Sequence, residues 1–198
     1  LAECRVSQFD DGKIANIAPK NNNPSFFSGL LAGSVGWGDA CIIVPYEMYR
    51  RYGDERILSE NYEMMKKWYA FLEERAKKLP VNPVKRFKRN PYRRYTIETG
   101  VDYGEWCEPD VESTSAMRTP QGKVATAFFA YSGRMLAEIA AILGKEDDAA
   151  YYSKTAEMAK KAWRFTATED GKISSDRQAD YVRALAFGLL DGDEARQA

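Results

Sequence analysis

Two long apolar stripes joined by one tight link constrain this chain more than any other feature of it. Val124, Phe128, Tyr131, Met135, Ile139 and Ile142 recur three or four residues apart, which puts them on one face of a helix. Thr119-Pro120 opens that helix as N-cap and first-turn residue, and Gly144 ends it. Tyr152, Ala156, Ala159 and Trp163 begin a second stripe almost at once. A connection as short as Gly144-Lys145 cannot let the two helices part, so they are expected to form an antiparallel hairpin. The stripe carrying Tyr152, Ala156 and Trp163 should then face the helix carrying Tyr131 and Met135.

The same periodicity recurs elsewhere. Leu58, Tyr62, Met65, Tyr69, Leu72 and Ala76 form an amphipathic stripe, with Asp54 as N-cap, Gly53 closing what precedes it and Pro80 stopping it. A further helix is expected from about Asp176 to Leu190, before the Asp191-Gly192-Asp193 stop. Pro45-Tyr46-Glu47-Met48-Tyr49 suggests another, starting as early as Asp39 and kinked by Pro45. Asp10 to Gly38 reads as loop, punctuated by Asn21-Asn22-Asn23-Pro24 and by glycines. No strand alternation supports a sheet. Serial helical hairpins with long loops point to an all-α toroid or solenoid, and the lack of a repeat of roughly 34–45 residues disfavours an ordinary helical-repeat array.

Composition narrows the chemistry. The 198 residues are 44% hydrophobic and 29% charged, enough for one sizeable core. The 29 basic and 29 acidic side chains cancel, so no global field draws the chain to nucleic acid or an anionic membrane. Lys85, Arg86, Lys88, Arg89, Arg93 and Arg94, with Phe87 and Tyr92 among them, read as a solvated loop rather than a nucleic-acid patch. No apolar run is long enough to cross a bilayer. Cys4, Cys41 and Cys107 are odd in number and far apart, which reads as free thiols. Histidine is absent, removing Ser-His-Asp and Cys-His triads and most zinc sites; neither metal nor cofactor is expected.

Two loop segments concentrate tryptophan, glycine and carboxylate: Gly36-Trp37-Gly38-Asp39, and Asp102-Tyr103-Gly104-Glu105-Trp106-Cys107-Glu108-Pro109-Asp110. An aromatic ring offers a sugar an apolar face, and adjacent carboxylates accept its hydroxyl hydrogens or move protons. The competing reading makes Asp39 a helix cap and the tryptophans core plugs. That both clusters lie on loops ahead of helices favours a binding site. Ser174-Ser175-Asp176-Arg177-Gln178 is most simply an N-cap region, with Gln178 placed where an amide could meet a ligand.

These segments, in order, resemble the bacterial α-L-rhamnosidase family. The resemblance is carried by Asp11-Gly12-Lys13-Ile14, by Trp37 to Tyr46, by Tyr49-Arg50-Arg51-Tyr52-Gly53-Asp54, by Asp102 to Trp106, by Ala125 to Ser132 and by Gln178 to Leu190, and it covers nearly the whole chain. It implies an (α/α)6 barrel, a six-hairpin toroid, whose pocket takes a terminal rhamnose that is hydrolysed with inversion. Trp37 and Trp106 match positions whose rings line the sugar pocket. Asp39, Asp102 and Glu105 adjoin them and are expected to bind hydroxyls.

The family's acid-bearing stretch is expected before Leu1 and its base beyond Ala198, leaving Glu105 as the weak in-chain catalytic candidate. About six candidate helices stand where a closed six-hairpin barrel needs twelve, so residues 1–198 are expected to be a segment of one catalytic domain, truncated at both ends and completed by the rest of the parent chain. The start, Leu1-Ala2-Glu3-Cys4-Arg5, carries neither initiator Met nor signal-peptide pattern, leaving the compartment open with the cytoplasm slightly favoured. Pro80 to Ile97 reads as an insertion relative to the family. Two other functions fit the residues: another (α/α)6 glycosidase or lyase, and a non-catalytic helical carbohydrate-binding module.

Overall fold

The computed structural model describes residues 1–20, 31–80, 89–105 and 121–192. Among them lie six α-helices: α1 (Ala2–Val6), α2 (Ala40–Tyr52), α3 (Arg56–Lys77), α4 (Gly122–Ile142), α5 (Glu146–Ala167) and α6 (Gln178–Ala186). A 3-10 turn spans Arg93–Tyr95. None of these helices is long and apolar enough to cross a membrane.

The hairpin of α4 and α5 is the most extensively packed pair in the fold, and α2, α3 and α4 pack on one another beside it. Its turn is a Schellman motif: Lys145 N–H reaches the Ala140 carbonyl at 2.8 Å and Gly144 N–H reaches Ala141 at 3.0 Å, with Gly144 at φ 68°. Tyr152, Ala156, Ala159 and Trp163 are all buried, as the stripe requires. The two helices close on Gly133, where a Cβ would lie 2.1 Å from the Tyr69 hydroxyl oxygen and 3.1 Å from the Ala156 Cβ. Tyr69 reaches there from α3, its ring 5.1 Å from Phe129 and 5.4 Å from Tyr152.

Tyr131 departs from the expected stripe. It is only half-buried and stacks on Phe187, with centroids 4.0 Å apart and planes 6° apart. The cause is that α4 is covered on more than one side: Phe129, Ser132, Gly133, Leu136 and Ala140 are buried as fully as Met135 and Ile139.

Other boundaries shift for local reasons. The N-cap position of α3 is Glu55, but Asp54 does the capping work from one residue earlier, accepting the Arg56 N–H at 3.0 Å. Helix α6 stops at Ala186 rather than Leu190, because Gly188 at φ 64° ends it in a second Schellman turn, Leu189 N–H bonding to Ala184 and Gly188 N–H to Leu185. Leu189 and Leu190 are buried from outside the helix. The Pro45 helix runs unbroken from Ala40 to Tyr52. A two-residue ladder that the sequence does not announce, Thr168–Glu169 against Lys172–Ile173, turns through Asp170-Gly171. It is too short to leave an alternation pattern. The helix start at Thr119-Pro120 lies outside the described residues.

Gly133→Ala should destabilise the chain by about 1–3 kcal/mol, because the added methyl meets the buried Tyr69 hydroxyl and overpacks the core. Urea unfolding checks this. Adding Tyr69→Phe, which removes that hydroxyl but leaves the ring carbon Cζ 2.8 Å from the new methyl, should recover part of the loss.

Candidate carbohydrate-binding cleft

Residues 31–39 turn tightly ahead of α2, and residues 96–105 run extended beneath them. Two buried carboxylates lock these segments together. Asp102 accepts the Val35 N–H at 2.7 Å and forms a two-pronged pair with Arg75 of α3, at 3.0 and 2.9 Å. The pair's side chains are 5% and 3% exposed. The same guanidinium donates to the Gly33 carbonyl at 3.0 Å and to the Thr99 carbonyl. Asp39, wholly buried, accepts the next N–H along, that of Gly36, at 2.7 Å, and also the Trp68 indole at 3.1 Å and the Ser132 hydroxyl. Desolvation raises the Asp39 carboxyl above its ordinary range, and its three hydrogen bonds oppose that rise. Asp39 sits at the N-cap of α2 but makes no forward capping bond; its side chain reaches back into the loop.

Trp37 emerges from this anchored turn 55% exposed. Its ring lies 5.2 Å from that of Tyr103, tilted by 46°. Asn16 ties the two: its backbone carbonyl accepts the Trp37 indole N–H at 3.1 Å, and its side-chain oxygen accepts the Tyr103 hydroxyl at 2.7 Å. Tyr103 N–H donates to Ser34 Oγ at 3.1 Å. Around the pair opens a cleft of about 670 Å³ lined by Val35, Gly36, Trp37, Tyr103, Gly104, Glu105, Val124 and Phe128. One wall is thus aromatic, the floor is apolar, and Glu105 is the carboxylate that lines it.

Of the residues singled out in the sequence, Trp37 and Glu105 share this cleft. Asp39 and Asp102 lie under it, their oxygens engaged by backbone, indole, hydroxyl and guanidinium donors. Trp106, like Cys107 to Asp110, lies outside the described residues. Gln178 is exposed at the first position of α6. Of the basic run, Arg93 pairs with Glu98, while Lys85 to Lys88 lie outside the described residues. Sequence reasoning missed Asn16 and Phe128: nothing marks one loop asparagine among several, and Phe128 falls on a helix stripe that reads as core. Tyr103 was in view, inside the second aromatic and carboxylate cluster.

The cleft thus sets an aromatic wall beside one carboxylate, on loops ahead of packed helices, and the helical hairpin architecture that carries it is that of a six-hairpin glycosidase domain. The whole chain, residues 1–198, matches the bacterial alpha-L-rhamnosidase 6 hairpin glycosidase domain, and the chain belongs to that family. It is 32% identical over its full length to an alpha-L-rhamnosidase of Formosa agariphila and 31% identical to one of Streptomyces avermitilis, spanning 19% and 16% of those proteins. The crystal structure of a Streptomyces avermitilis alpha-L-rhamnosidase complexed with L-rhamnose superposes with a TM-score of 0.74 at 28% identity, over 99% of this chain and 16% of that one. An alpha-L-rhamnosidase from Aspergillus terreus, at 22% identity and a TM-score of 0.70, shares the fold; it is covered to 21% and this chain to 99%.

Arg75→Ala should cost about 3–5 kcal/mol of stability, since it leaves Asp102 charged and buried without its partner. Chemical denaturation measures it. A loss under about 1 kcal/mol would mean that the pair is not what holds the two loops.

Proposed function

We propose that this chain forms part of the sugar pocket of a glycoside hydrolase that removes terminal α-L-rhamnose with inversion. One observation carries the reading: in a chain of this family, Trp37 and Tyr103 make an aromatic wall beside the Glu105 carboxylate in a single cleft. A rhamnose ring has an apolar face to stack on that wall and hydroxyls to donate to that carboxylate. Asp39 and Asp102 serve the pocket from below, by fixing the turn that presents Trp37.

Inversion needs a carboxylic acid to protonate the leaving oxygen and a carboxylate to take a proton from the attacking water, roughly 6.5–9.5 Å apart. Among the described residues Glu105 alone lines the cleft with a carboxyl group, and one group cannot fill both roles. At least one of the two must therefore come from outside the described residues, and we place both on the rest of the parent chain, of which this segment corresponds to a small share: it spans 16–20% of the curated relatives it matches. Exposed apolar side chains on α2 (Val44, Met48, Tyr52, each four residues on) and on α6 (Val182, Leu185) suit further helices packing on both.

Two outcomes test the reading. The chain alone should show no turnover of an aryl rhamnoside, acid and base catalysis being worth typically ~10²–10⁴-fold each; turnover abolished by Glu105→Gln would relocate the acid. In the full-length parent enzyme, Trp37→Ala should weaken L-rhamnose binding by about 1–3 kcal/mol while leaving the unfolding midpoint nearly unchanged, because an exposed ring leaves no core cavity. Unchanged affinity in a calorimetric titration would remove the aromatic wall from the sugar site.

A further inference from the structure

Glu105 does not stand alone in the cleft. Its Oε1 forms an ion pair with Nη2 of Arg183, which comes from the middle of α6, far along the chain. Arg183 is a buried cation, its side chain 5% exposed, and Nη1 donates to Asp180 Oδ1, one turn back on the same helix, at 2.8 Å. Two carboxylates thus surround one guanidinium, and the cluster carries a net negative charge. Asp180 already offers the arginine a counter-charge from within α6. The pairing with Glu105 therefore does more than neutralise a buried cation: it reaches out of the helix and takes hold of a cleft-lining side chain.

We propose that Arg183 is a positioning residue for sugar binding: by holding Glu105 through one oxygen, it orients the carboxylate so that the other accepts hydroxyl hydrogens of the bound sugar. The inference rests on the rhamnoside reading of the cleft. An opposite charge in contact favours the ionised form of a carboxylate. A carboxylate so held suits an acceptor of hydroxyl hydrogens and not a donor of a proton to a leaving group, which agrees with the acid lying elsewhere. Helix α6 is well placed for the task because a second contact ties it to the same cleft: Phe187 meets Phe128 edge-on at 4.9 Å and stacks on Tyr131. That aromatic anchor should hold α6 in place when Arg183 is changed.

The test is a double-mutant cycle in the full-length parent enzyme, reading the Kd for L-rhamnose and kcat and KM on an aryl α-L-rhamnoside. Arg183→Gln should raise Kd and KM about tenfold, a change of about 1.4 kcal/mol, while kcat changes much less, as expected when the carboxylate that accepts the sugar hydroxyls loses the charged neighbour that orients it. Glu105→Gln should do at least as much, and the double variant should bind no worse than Glu105→Gln alone, because Arg183 acts only through Glu105. Arg183→Lys should restore part of the affinity, keeping the charge without the planar fork. Losses that multiply in the double variant, or an Arg183→Gln enzyme with wild-type Kd, would overturn the proposal. Should Arg183→Gln unfold, the cycle runs with Arg183→Lys: a raised Kd that Glu105→Gln subsumes is the expected result, and a wild-type Kd overturns it. A wild-type enzyme that fails to bind L-rhamnose overturns the pocket reading and this inference together.

Discussion

The cleft depends on the buried pair between Arg75 and Asp102. An extended segment and a tight turn meet there with no sheet to join them, and both present backbone groups that must find partners away from water. The pair meets that need: Asp102 takes the Val35 N–H, and Arg75 takes the Gly33 and Thr99 carbonyls. Two charges out of water are costly unless their remaining hydrogen-bonding capacity is filled, and here most of it is filled by loop backbone. Among the described residues, Arg75 Nε is the one atom of the pair left without a hydrogen-bond partner. What the pair contributes is position: it fixes which way the turn faces, and with it the Trp37 ring.

Asp39 performs the same task with neutral donors. Consecutive N–H groups, Val35 and Gly36, point into two different carboxylates, one braced by α3's arginine and the other by the Trp68 indole and the Ser132 hydroxyl. The turn is thereby attached to α3 and α4 as well as to the extended segment. The exposed aromatic wall stands on three elements that are themselves packed together. A ring left open to solvent can keep one orientation only when its backbone is held this way, and orientation is what a stacking surface requires.

Much of this was legible in the chain. The α4–α5 hairpin followed from two stripes and a two-residue link, because local periodicity and a short connection leave few alternatives. The resemblance led to the six-hairpin family. The two aromatic and carboxylate clusters were visible, but the division of labour within them was not. Asp39 and Glu105 have the same composition around them in sequence, yet one is wholly buried and the other lines the cleft. Nothing local separates them, since the difference comes from Trp68 and Ser132, which approach Asp39 from other helices, and Arg183, which approaches Glu105 from α6. Side chains brought together by tertiary packing leave no spacing to read.

Helix α4 explains both the success and the misreading. A helix at the edge of a fold keeps one apolar stripe, and its sequence states which way it faces. One packed against α3 and α5, and touched also by Phe187 beyond α6, must be apolar or small nearly all round, and the stripe widens until no single face is marked. Phe128 and Tyr131 fall in that widened band: one lines the cleft and the other stacks on Phe187. The site is thus built partly from residues that look like core because they are nearly core. The same helix that buries Gly133 against Tyr69 near its middle supplies the cleft floor through Val124 and Phe128 at its start, so that a packing change in the hairpin would be felt in the pocket.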